Sequence, residues 1–409
     1  MSPSSVRAVG AGQWGLRGRS SPAIEVLRYS TAEPPPHDDM ERTFRYAFTP
    51  ASSDPVGAAL VRLSVSDIED AALREILQTP GAGLATWSLL DALLTSTGPN
   101  TPFVFREPLG QAREVKVALS GLFGRFVARA YLERYHGLSI FAHLGAAGML
   151  IDARRRISAV RTARGDLPDW EACSAGWKDL TIAEAKGCHD RPGPAKALDR
   201  AWKQRQRVNI ICRSLPVTVK RIAVATRWGS AKGGASTPMM SVLDPEDTGA
   251  ALSRDEKRAL FVGLLRKHLA TLLAPLAHAP LSEALRKLTS SRLSEKALTS
   301  AALAALDASP VSNLDTASQL EDLEPMLGGL TTRQGVVSNT RPSRSDEQAL
   351  VRLQLRPQFV GVERRVIRAA ILGAELGAVD DAEGGRRRGR ARGDGVGVWI
   401  VPLFGEGPP

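Results

Sequence analysis

The fold class turns on residues Asp166–Lys186, which read DLPDWEACSAGWKDLTIAEAK. Two β-like runs, Leu167–Cys173 and Asp179–Lys186, flank Ser174-Ala175-Gly176-Trp177, a connection of hairpin length. Side chains alternate along a strand, so Glu184 and Lys186 share a face. With residues 174–177 as the loop, Asp169 falls opposite Ile182, on that same face and close to Glu184. Two carboxylates and an ammonium are therefore expected at one sheet edge. Hard oxygen ligands of this kind hold Mg²⁺, which activates water and stabilises charge on a scissile phosphate.

The elements around this hairpin extend the pattern. Upstream, Leu119, Leu122, Phe123, Phe126, Ala130 and Tyr131 recur at three and four within 111–135, a helix with one buried stripe that Gly137 closes. Short β-like runs follow at Ser139–Leu144 and Ile157–Arg161. Downstream, Pro192-Gly193-Pro194 opens a helix over Ala195–Asn209, and Val217–Thr226 reads as a strand. The order helix, several strands, helix, strand predicts an α/β domain over 111–248.

Pro168-Asp169 followed by Glu184-Ala185-Lys186 resembles the PD-(D/E)XK nuclease superfamily, the restriction-endonuclease-like fold. In that family an Asp on one strand and an acid-x-Lys on the next form the metal site. The matching residues are Asp169, Glu184 and Lys186, and the likeness covers roughly residues 112–245. A second Glu-x-Lys, Glu114-Val115-Lys116, lies at a helix start with no Pro-Asp before it, and Pro-Asp occurs only once in the chain. The resemblance implies an α/β core with a mixed central sheet flanked by helices. It also implies Mg²⁺ or Mn²⁺ on Asp169 and Glu184, and a Lys186 that orients or deprotonates the attacking water or stabilises the phosphorane. The family's following helix brings a glutamine or a basic residue to the phosphate, and here Lys203 and Gln204 match, with Val208 where some branches carry an aromatic. Its preceding helix often carries an acid after a glycine. Here Arg125 follows Gly124, and Glu133 either substitutes for that acid or is simply exposed, the second reading being preferred.

Charge points the same way. Lys plus Arg number 54 against 43 acidic residues, a formal +11 with a pI near 9.9, which predicts a polyanionic partner. Lys196, Arg200, Lys203 and Arg207 are spaced as one helical stripe, either a phosphate-binding face with Gln204 or a merely solvated one. All the lysines lie between Lys116 and Lys296.

The flanks divide by composition. Residues 1–39, rich in Gly, Ser and Pro, read as a flexible arm, and 40–110 as an N-terminal accessory α/β domain. Residues 249–379 read as mostly helical, entered through a capping box at Ser253 and Glu256, with a break at Gly328-Gly329. Residues 380–397 form an Arg/Gly-rich disordered segment, and 398–409 a tail. The 40–110 and 249–379 regions are the places for partner proteins. Three cysteines build no disulfide framework, which fits a cytoplasmic protein, and no apolar run is long enough for a membrane span. Cys188-His189 with Cys173 fits no zinc spacing, and Gly229–Gly234 lacks the Walker A pattern.

These readings converge on a Mg²⁺-dependent nuclease that hydrolyses phosphodiester bonds, of DNA ahead of RNA, and the resemblance implies a role in bacterial antiphage defence, restriction or DNA processing. The alternatives are a non-catalytic nucleic-acid-binding or scaffold protein with a degenerate nuclease-like fold, or an interbacterial nuclease toxin.

Overall fold

The computed structural model describes residues 23–29, 61–62, 65–79, 94–96, 103–105, 113–145, 148–189, 195–227, 229–230, 239–244, 249–310, 325–332, 335–338, 358–374, 376, 387–388 and 391–402. In chain order the first elements are β1 (Ala23–Tyr29), β2 (Val61–Arg62), α1 (Val65–Gln78), β3 (Leu94–Ser96), β4 (Phe103–Phe105) and α2 (Arg113–Tyr135). The middle holds β5 (Leu138–His143), β6 (Gly148–Asp152), β7 (Ile157–Arg161), β8 (Trp170–Ser174), β9 (Thr181–Cys188) and α3 (Ala195–Arg205). Next come β10 (Val208–Cys212), β11 (Leu215–Pro216), β12 (Lys220–Arg227), β13 (Gly229–Ser230) and β14 (Met239–Leu243). The last part contains α4 (Arg254–Leu273), α5 (Ala279–Ser290), α6 (Glu295–Ala308), β15 (Met326–Thr332), β16 (Gly335–Ser338), β17 (Gln358–Glu363), α7 (Arg364–Leu372), β18 (Arg387–Arg388), β19 (Ala391–Gly393) and β20 (Val398–Pro402).

A seven-stranded mixed sheet, ordered β2-β1-β14-β12-β9-β8-β5, forms the centre. β9 runs parallel to β12, and β1 parallel to β14, while the remaining neighbours are antiparallel. In β12 the run Ile222-Ala223-Val224-Ala225 is buried residue after residue. That continuity follows from helices on both faces. On one face α3 lays Ala197, Leu198 and Ala201 against Ala223, Ala225 and Leu243. On the other, α2 comes so close to β9 that a Cβ on Gly124 would stand 2.6 Å from the Gly187 Cα. The edge strand β5 is covered by α4, whose buried His268 places Nδ1 3.1 Å from the Phe141 backbone nitrogen.

Several flanking segments differ from the sequence expectation. Residues 23–29, expected in a flexible arm, form β1 in the central sheet, because their partner β14 lies far along the chain and no local pattern announces the pairing. Of the 40–110 region, α1 packs on α2. Ile68, Ala71, Ala72 and Ile76 of α1 belong to the same core cluster as Phe123, Phe126 and Val127 of α2. The 249–379 region has its helices, and the Ser253–Glu256 capping box is present. It also contributes β15, β16 and β17 to an antiparallel sheet ordered β16-β15-β17-β20-β19-β18. Gly328, expected to break a helix, instead faces Gly361 across β15 and β17, where a side chain would not fit. Residues 387–388 and 391–393 of the segment expected to be disordered are strands of that sheet.

The packing of α2 on β9 yields a test within one helix. Gly124→Ala should destabilise the protein by about 2 kcal/mol or more, as overpacking does when backbone must move. Gly121→Ala meets nothing within 4 Å. It should be neutral or gain up to about 1 kcal/mol of helix propensity. Urea unfolding of the two variants beside the wild type reads both effects.

Candidate active site

β8 and β9 pair antiparallel with Trp170 opposite Ala183 and Glu171 opposite Ile182, which sets Asp169 opposite Glu184. The sequence expectation of Asp169 opposite Ile182 is thus displaced by two residues. The cause is a longer connection: the strands part after Ala172 and Thr181, and Trp177 and Asp179 take left-handed conformations at φ 57° and 56°. A shift of two preserves the face, so the convergence of Asp169, Glu184 and Lys186 is found all the same.

The two carboxylates lock each other's strands. The Asp169 N–H donates to Glu184 Oε2 at 2.9 Å, and the Ala185 N–H donates to Asp169 Oδ2 at 2.9 Å. The Leu144 N–H holds the Asp169 carbonyl at 3.1 Å, fixing the residue from the β5 side as well. Glu184 Oε1 makes an ion pair with the Lys186 ammonium but accepts no well-directed hydrogen bond. Exposure is graded: the side chain of Glu184 is 0% exposed, Asp169 16% and Lys186 31%. Burial, and next the neighbouring charge of Asp169, push the Glu184 carboxyl well above its ordinary range against the pull of Lys186. A carboxylate pair in this state gains from a cation. Glu171, next on the same face, is wholly buried with neither oxygen hydrogen-bonded, and burial raises it to about 8.

Where the resembling family often places an acid, Arg125 enters the site from α2. Its Nε lies 3.5 Å from Asp169 Oδ1, and its Nη2 lies 2.6 Å from Glu75 Oε1. Its guanidinium carbon stands 5.4 Å from the centre of the Trp170 ring. Glu75 comes from α1, outside the segment expected to form the core. Its Oε2 is also met by Arg129 at 3.0 Å, the Trp170 indole N–H at 3.1 Å and His143 Nε2 at 3.3 Å. Burial would raise the Glu75 carboxyl, but Arg125, His143 and Arg129 outweigh it and hold it well below the carboxylate range. Sequence reasoning missed Glu75. The signal was Arg129, placed on the apolar stripe of α2, since a buried guanidinium requires an anion. Glu133 is not exposed as expected but pairs with Arg74 and Arg129.

The basic stripe is partly as anticipated. Lys196, Arg200 and Lys203 are exposed on α3, with Lys203 3.0 Å from Asp199 Oδ2. Arg207 lies in the turn beyond the helix end, where its Nη1 donates to the Asp166 carbonyl at 3.1 Å. Gln204, expected to face the phosphate, is buried and donates through Nε2 to the Leu167 carbonyl at 2.6 Å. Gln204 and Arg207 therefore grip the segment that leads into Asp169. Among the described residues, no group of three His, Cys, Asp or Glu side chains is placed to hold a metal ion. Cys173 is buried, Cys188 half-buried, and His189 Nδ1 lies 3.1 Å from Ser120 Oγ. His278 places Nε2 3.3 Å from the Gly328 carbonyl.

Glu75 gives a pH prediction. Its carboxyl is lowered on folding, so it contributes stability that is present above its unfolded value of 4.5 and is lost as pH falls toward the folded value. Glu75→Gln should therefore be less stable than wild type at pH 7, and the gap should narrow by pH 3. Thermal unfolding at the two pH values checks this, and an unchanged gap would rule out a charged Glu75.

No protein-family model, no curated protein and no solved structure matches this chain.

Proposed function

We propose that this protein is a Mg²⁺- or Mn²⁺-dependent nuclease that hydrolyses phosphodiester bonds, with DNA as substrate ahead of RNA. One observation carries the reading. Asp169 and Glu184 face each other across adjacent strands, with the Lys186 ammonium on the Glu184 carboxylate and exposure increasing from Glu184 to Lys186. Mg²⁺ is commonly bound by one or two carboxylates, with water and substrate phosphate completing the shell, and this pair fits that pattern. Asp169 and Glu184 would hold the ion, which when bound supplies positive charge to the scissile phosphate and lowers the pKa of water.

The remaining work falls to the chain's own groups. With Glu184 turned to the cation, Lys186 can direct its ammonium to the attacking water or to the charge on the phosphorane. Lys196, Arg200, Lys203 and Arg207 contribute phosphate contacts that carry no sequence information. A role in bacterial restriction, antiphage defence or DNA processing, in the cytoplasm, suits such an enzyme, with partner proteins on the regions flanking the core.

A second reading, a non-catalytic nucleic-acid-binding protein, is favoured by one observation. Every oxygen of the two carboxylates already faces a protein donor or cation, and no third acid joins them among the described residues. Divalent-metal dependence separates the two. Incubation of the full chain with plasmid, linear DNA and RNA should give cleavage with Mg²⁺ or Mn²⁺ and none with EDTA. The absence of metal-dependent cleavage of any of them would overturn the enzyme reading.

Variants should separate the roles. Asp169→Ala and Glu184→Ala should abolish cleavage and retain DNA binding, in samples whose circular dichroism matches wild type. Lys186→Ala should lower turnover by about 100-fold or more with little change in affinity. Neutralising the exposed Lys196 and Arg200 together should weaken binding across sequences and flatten the salt dependence by up to about 2 units, with turnover at saturating DNA preserved. Lost binding with intact turnover in Lys186→Ala would contradict this division.

A further inference from the structure

We infer that Arg125 occupies the place of a second cation beside Asp169, so that the site takes a single divalent ion per chain. The inference rests on the metal-dependent reading of the Asp169–Glu184 pair and names what completes it. Three observations carry it. The first is position: Arg125 Nε lies 3.5 Å from Asp169 Oδ1, and that buried N–H makes no hydrogen bond. It is therefore a charge directed at the carboxylate rather than a group consumed by it. A second ion approaching Asp169 from that side would meet the guanidinium.

The second observation is that Arg125 is held in place. Its Nη2 lies 2.6 Å from Glu75 Oε1 and 3.1 Å from His143 Nδ1, and its guanidinium stands over the Trp170 ring. Glu75 is in turn fixed by Arg129 and by the Trp170 indole. Swinging Arg125 away would strip one partner from a buried carboxylate, a costly step. His143 and Trp170 sit opposite each other on β5 and β8, so the guanidinium rests on paired strands rather than on a loop.

The third is the ligand inventory. A second ion needs further hard ligands, and among the described residues no group of three His, Cys, Asp or Glu side chains is placed to hold a metal. Glu75 is the nearest acid beyond the pair along the Arg125 side chain, and its oxygens are engaged. With Nε buried beside Asp169 and Nη2 on Glu75 and His143, the Arg125 guanidinium supplies at Asp169 the charge that a second ion would otherwise bring.

The test counts ions without DNA. Mn²⁺ titrated into the full chain by calorimetry, with free Mn²⁺ counted by electron paramagnetic resonance, should give one ion per wild-type chain and none in Glu184→Gln. Arg125→Gln should bind a second Mn²⁺, or the first about tenfold tighter or more, because a positive charge is removed from beside the ligand. Arg125→Lys, which keeps the cation, should stay at one. Thermal unfolding monitors each variant. If Arg125→Gln does not fold, the double variant Glu75→Gln with Arg125→Gln, which leaves no charge at Glu75 without its Arg125 partner, takes its place with the same expectation. Two ions or none in the wild type, or unchanged number and affinity when Arg125 is neutralised, overturns the inference. A wild type that binds one ion and cuts no nucleic acid instead overturns the nuclease reading and leaves this one standing.

Discussion

Glu184 is a carboxylate with no exposed surface in the middle of a seven-stranded sheet, and the surrounding structure is organised around satisfying it. An uncompensated charge at such a position costs several kcal/mol, so its oxygens must find donors or a cation. The Asp169 N–H and the Lys186 ammonium meet that need. The Asp169 carboxylate reciprocates on the Ala185 N–H, so the pairing of β8 with β9 and the assembly of the acidic pair are one event. A slip by one residue would turn these groups to the opposite face.

The two helices that enclose this hairpin serve different ends. α2 approaches β9 backbone to backbone at Gly124 and Gly187, which brings Arg125, the next residue, up to the carboxylate pair. α3 packs on small residues of β12 and holds the strand entrance through Gln204, leaving Lys196, Arg200 and Lys203 to solvent. The first helix supplies charge inside the site and the second supplies it outside. Glu75, from a helix early in the chain, ties Arg125, Arg129, His143 and Trp170 together. α1, through Glu75, is in this way part of the site's support.

What the sequence made legible is what short-range geometry determines. Alternation alone placed Glu184 and Lys186 on one face, and hairpin distance brought Asp169 to them. Loop length was read two residues short because the left-handed Trp177 and Asp179 have no glycine to mark them. Periodicity located α2 and the exposed positions of α3. It gave no sign that Gln204 points inward, since a polar residue at a buried helical position is satisfied by a carbonyl from a distant loop. Long-range pairings such as β1 with β14, and Glu75 with Arg125, leave little local trace. The clue to the latter, an arginine on an apolar stripe, indicates that an acid is needed and not which acid.

The most direct test of a divalent-cation site on Asp169 and Glu184 is diffraction from crystals of the protein soaked in Mn²⁺, with data collected at the manganese edge. An anomalous peak bridging the Asp169 and Glu184 carboxylates, at a metal–oxygen distance of about 2.0–2.3 Å, with Lys186 displaced from Glu184, is the predicted result. Carboxylates still paired with Lys186 and Arg125, and no peak between them, would contradict it.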